Sequence, residues 1–69
     1  LVLWLLDQTG GQPGVVKCTH EAIAVELGTA REVVSRLLGE MRNQDLVKLG
    51  RGKIEITDPV RLKRLVEFD

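Results

Sequence analysis

Gly28 constrains this chain more than any other residue. It stands between two segments with helical patterning, and glycine suits a left-handed turn that other residues enter only at a steric cost. Before it, Thr19 offers a capping hydroxyl, His20 and Glu21 follow, and Ala22, Ile23, Ala24 and Leu27 supply the apolar positions of a helix running to about Leu27. After it, Thr29 is expected to cap a second helix over about residues 30–44. There Ala30, Val34, Leu37, Leu38 and Met41 recur at the three-and-four spacing of one buried face. Helices joined this tightly need a small residue where they nearly touch, and Ala24 holds that place. Ile23, Leu27, Val34 and Leu37 are expected to pin the pair together.

The flanking segments complete a small architecture. Residues 1–6 are almost wholly apolar and run to Thr9, Gly10 and Gly11, a helix stop. Residues 12–14 are turn chemistry, and residues 15–18 predict a brief strand. Beyond Asp45, residues 46–49 and 53–56 alternate about Gly50, Arg51 and Gly52, which predicts a β-hairpin. Asp58 is a cap and Pro59 a first helical residue, where its missing N–H costs nothing. Val60, Leu62, Leu65 and Val66 of this last helix are expected to face inward. The order is helix, strand, helix, helix, hairpin, helix: an α+β fold, a small winged helix-turn-helix domain with three to four helices and a β-hairpin wing.

With 69 residues the chain fits one domain, and at this size only roughly 60% of the unfolded surface is buried. It opens at Leu1 inside apolar sequence that already looks helical, which predicts an excised piece of a longer protein. Ten basic and ten acidic residues cancel, so any case for nucleic acid must rest on where charges stand. Cys18 is alone, which excludes an internal disulfide and suits a reducing compartment, with the cytoplasm as default. No apolar run approaches the ~20 residues that span a bilayer, so no membrane association is expected. One His, one Cys and no Tyr leave no nucleophile, base and orienter for an enzyme. Cys18 and His20 cannot close a four-coordinate metal site by themselves, and Cys18 suits a buried strand position. No cofactor or metal is expected.

The second helix has an informative outer face. With Val34 at zero and about 100° per residue, Leu37, Leu38 and Met41 fall within roughly 60° of it. Glu32, Arg36, Gly39 and Asn43 then point away from the core, with Ser35 and Arg31 on one flank. Such a face can enter a major groove. Arg36 can donate twice to guanine, Glu32 can accept from a cytosine amino group, and Ser35 can bond a base or phosphate. A surface ion pair between Glu32 and Arg36, four residues apart, would account for the same charges. At the hairpin tip Arg51, with Lys48 and Lys53 beside it, can meet backbone phosphate, though a solvated turn explains them as well. Thr19 and Thr29 at helix starts can bring backbone N–H groups to phosphates, though capping, which needs no ligand, is the favoured role for each.

Over about residues 17–56, and most specifically in Arg31-Glu32-Val33-Val34-Ser35-Arg36 followed by the basic hairpin, the chain resembles the C-terminal domain of the Crp/Fnr transcription regulators. The resemblance implies sequence-specific binding of double-stranded DNA. Glu32 and Arg36 would read the G·C pair of a TGA-like half-site, Ser35 matches the Glu-x-x-Ser-Arg pattern of the Fnr branch, and Arg31 is similar to an additional Arg of the cyclic-AMP branch. Thr19, Thr29, Val33, Lys48, Arg51 and Lys53 would hold the DNA backbone. The resemblance also implies a homodimer formed through a long helix before this domain, an N-terminal sensor, and RNA polymerase as a further partner. The contrasting expectation is a winged helix that binds another protein without reading DNA, which zero net charge would suit.

Overall fold

A computed structural model describes residues 1–67. In chain order these form α1 (Val2–Thr9), β1 (Gly14–Val16), α2 (His20–Leu27), α3 (Arg31–Asn43), β2 (Val47–Gly50), β3 (Lys53–Ile56) and α4 (Pro59–Glu67). Four helices and a three-stranded antiparallel sheet of order β1-β3-β2 make the small winged helix-turn-helix domain that the sequence predicts.

The hairpin pairs Val47 with Ile56, Lys48 with Glu55, Leu49 with Ile54 and Gly50 with Lys53. Its loop is therefore Arg51-Gly52, and Gly52 takes φ 66°, a conformation open to glycine without a Cβ penalty. Side chains alternate across the pleat, so Val47, Ile54 and Ile56 enter the core while Lys48, Lys53 and Glu55 face solvent. β1 pairs with the other edge of β3, Val16 opposite Ile54. The expected strand over residues 15–18 is displaced: it ends at Val16, and Cys18 lies half-buried against the core beyond it. The chain has to leave the sheet there, because Thr19 is extended and already caps α2.

Leu5, Ile23, Leu38, Leu46, Ile54, Ile56 and Leu62 are fully buried, with Val34 and Val47 beside them. Each such side chain contributes about 1.5–3 kcal/mol of transfer free energy before entropy is counted. Among the described residues no polar or charged residue is buried. Leu46 precedes its strand, and its carbonyl accepts the N–H groups of Thr57 and Asp58 at 3.1 and 3.3 Å, fixing where α4 begins. Asp58 caps α4 as expected, its Oδ1 accepting the Arg61 N–H at 3.1 Å. Asp45 takes φ 61°, a left-handed position that Asp tolerates better than most side chains, and its carbonyl accepts the Thr57 hydroxyl.

Four expectations about burial fail. Of the four apolar α4 residues expected to face inward only Leu62 is enclosed, while Val60 (64%), Leu65 (45%) and Val66 (45%) are exposed. These line an open groove against α1 with Leu3 and Leu6; α1 covers one side of α4 and nothing covers the other among the described residues. Leu27, at the end of α2, is also exposed and does not pin the helix pair. Ala30 is exposed because it precedes α3, and Leu37 is only half-buried. No helix among the described residues is long and apolar enough to cross a membrane.

Candidate nucleic-acid interface

The interface is built on α2 and α3. Thr19 sits in extended backbone and its hydroxyl oxygen accepts the Ala22 N–H at 3.0 Å, satisfying one of the donors that a helix start leaves open. At the other end Gly28 takes φ 68°, ψ 36°. Its N–H donates to the Val25 carbonyl at 3.3 Å, and the next N–H, from Thr29, donates to Ala24 at 2.9 Å. These paired bonds close a Schellman turn, and Gly28 is the turn residue that its position predicts.

The same bonds explain why Thr29 does not cap α3. Its N–H is held back toward α2, so the chain reaches the extended conformation of a cap one residue later. Ala30 is the cap, its carbonyl accepting from Val33 and Val34, with no side-chain hydrogen bond. Ile23 and Ala24 of α2 meet the buried Val34 and Leu38 of α3 in the common core. Ala24, 4% exposed, is the small residue that the close approach requires.

With Val34, Leu38 and Met41 buried beneath it, α3 exposes Arg31, Glu32 and Arg36. No ion pair joins Glu32 to Arg36 among the described residues, so both charged ends are open to another partner. Ser35 flanks this face and is less exposed than they are. It is half-buried, and its Oγ lies 2.8 Å from Nδ1 of His20, the first residue of α2. Val33 is half-buried too, while Thr19 and Thr29 are exposed. The sequence offers His20 only as a polar residue at a helix start and, with Cys18, as half of a metal site that two ligands cannot close; its partner lies 15 residues away, a separation at which helical periodicity gives no signal.

The wing carries its basic residues in a different setting. Arg51 is at the hairpin tip, and Lys48 and Lys53 are exposed. Lys48 stands directly opposite Glu55, and Glu55 is two residues from Lys53 on the same strand. Glu55 thus shares the sheet's outer face with both lysines, and no ion pair joins it to either among the described residues.

A helix-turn-helix whose second helix bears an exposed charged face, followed by a hairpin with a basic tip, is a winged helix-turn-helix domain. A family model described as a Crp-like helix-turn-helix domain matches residues 1–65. The chain is similar to the transcriptional regulator SdrP of Thermus thermophilus, 38% identical over 53 residues that cover 77% of this chain and 26% of that protein. It is similar in structure to a Crp/Fnr-family transcriptional regulator of Eubacterium rectale, with TM-score 0.79 and 42% identity over 96% of this chain and 30% of that one. The catabolite activator protein of Thermus thermophilus gives TM-score 0.77 and 32% identity, again over 96% of this chain and 30% of the other. This chain belongs to the Crp-like helix-turn-helix family. It spans about a quarter of the length of the curated relatives it matches.

Proposed function

We propose that this chain is the DNA-reading part of a Crp/Fnr-type transcription regulator, with α3 lying in the major groove. The observation that carries the reading is the exposure of Arg31, Glu32 and Arg36 together on a helix whose opposite side is locked into the core. A rigid rod with free guanidinium and carboxylate ends can present bidentate donors to guanine and an acceptor to cytosine. Arg36 and Glu32 read the G·C pair of a TGA-like half-site, with Arg31 and Ser35 reading its neighbours. Thr19, Thr29, Val33, Lys48, Arg51 and Lys53 contact the backbone, where they set register and not sequence. Zero net charge and a single reading helix make one copy a weak binder, so two copies acting on two half-sites supply the affinity. The whole regulator works as a homodimer, with RNA polymerase as a further partner.

Arg36→Ala tests the site. It is expected to cost about 1–3 kcal/mol of binding and to relax preference at one G·C pair, without altering preference elsewhere. Titrations of labelled duplexes at several salt concentrations supply the readout. Affinity falling linearly on a log-log salt plot belongs to DNA binding; unchanged affinity and preference in Arg36→Ala overturn the assignment.

A further inference from the structure

Ser35 differs from its neighbours on α3 in having its hydroxyl already engaged. Oγ lies 2.8 Å from His20 Nδ1, and both residues are half-buried. The bond ties the first residue of α2 to the middle of α3. A serine inside a helix commonly turns its hydroxyl back to a carbonyl of its own helix. Among the described residues Ser35 makes no such bond and has no second partner.

The 2.8 Å distance allows either group to donate, and the absence of a second protein partner among the described residues favours the direction in which Ser35 does. A hydroxyl has one proton and two lone pairs, and a neutral imidazole has one nitrogen that donates and one that accepts. If Nδ1 carried the hydrogen, the Ser35 proton would have no protein partner among the described residues. If Nδ1 accepts, the hydroxyl proton is satisfied and the ring N–H is placed on Nε2. The second arrangement uses every donor on the inner side of the contact.

We propose that His20 is a positioning residue for base reading, which fixes the hydrogen-bonding polarity of Ser35. With its proton committed to Nδ1, Ser35 has only lone pairs to offer the groove. It therefore selects a base that presents an amino group there, cytosine N4 or adenine N6, over guanine or thymine, which present acceptors. A serine without this restraint rotates and serves either polarity. The inference rests on α3 being the DNA-facing helix.

The test measures binding of the protein to duplexes that differ at single base pairs, for His20→Ala, His20→Phe, His20→Asn, Ser35→Ala, the His20→Ala/Ser35→Ala double variant and Arg36→Ala, with thermal unfolding as control. His20→Ala and His20→Phe are expected to flatten preference at one base pair by about three- to tenfold, the worth of one net hydrogen bond. Ser35→Ala flattens preference at that same pair, and the double variant goes no further, because both changes remove one interaction. His20→Asn, whose amide oxygen can take the place of Nδ1, restores the preference. His20→Phe keeps a ring in place, so an outcome caused by lost packing would appear in His20→Ala alone and overturn the proposal. It is also overturned if the His20 variants keep wild-type preference while Arg36→Ala loses it, or if His20 and Ser35 changes act additively at different base pairs. If Arg36→Ala has no effect either, the reading of α3 has failed and takes this inference with it.

Discussion

Helices α3 and α4 both carry apolar residues at three-and-four spacing, but they use them differently. In α3 the stripe of Val34, Leu38 and Met41 is buried, because α2 packs on one side and β2 on the other. In α4 Leu62 is enclosed while Val60, Leu65 and Val66 remain open along the groove against α1. Periodicity reports that a helix has an apolar face; whether a neighbour covers that face depends on topology. The consequence is functional as well as energetic. A helix gripped from two sides can hold Arg31, Glu32 and Arg36 in fixed positions, as reading bases demands, and α4 lacks that support.

The largest effect that separates the two helices is in the core. Leu38→Ala is expected to cost about 2–5 kcal/mol, since it removes a fully buried side chain and leaves a cavity. Leu65→Ala, at a residue 45% exposed, is expected to cost less than about 1 kcal/mol, mostly as lost contact area. Urea unfolding followed by circular dichroism measures both. Equal costs would show that α4 is held as firmly as α3 and would remove the contrast.

What the sequence made legible was local chemistry. Gly28, the turn at Gly50, Arg51 and Gly52 and the Asp58-Pro59 helix start each declare a backbone conformation within a few residues; Gly28 and Asp58 are found where expected, and the turn narrows to Arg51-Gly52 because Gly50 pairs with Lys53. The exposed set Arg31, Glu32 and Arg36 followed from the same periodicity that placed Val34 and Leu38 inside. Thr29 misled because two adjacent elements compete for it: its N–H belongs to the end of α2, and α3 starts a residue later. The pairing of β1 with β3 and the link between His20 and Ser35 are contacts between segments far apart in sequence, and the open side of α4 is the lack of one; no local pattern points to any of the three.

The helix starts give a second, smaller contrast. Asp58 accepts the Arg61 N–H at 3.1 Å and also stands 3.9 Å from the Arg61 guanidinium, whereas α3 begins without any side-chain cap. Asp58→Ala is expected to lower stability by about 1 kcal/mol, and Thr29→Ala to change it by only a few tenths. The ion pair adds little, because both partners are substantially exposed. Thermal melts of the two variants check the order; a costlier Thr29→Ala would mean that α3 is capped after all.

The smallest effect is expected at Val60, and it tests whether the two helices act independently. Val60 is 64% exposed, so Val60→Ser removes little buried area and should alter stability by no more than about 0.5 kcal/mol. It lies on α4, and among the described residues no hydrogen bond or ion pair joins it to Arg36. Independent sites add, so Val60→Ser combined with Arg36→Ala should bind duplex DNA as Arg36→Ala alone does. A double variant markedly weaker than Arg36→Ala would show that the α4 surface reaches the DNA or controls the pose of α3, and the division between a reading helix and a loosely covered one would no longer hold.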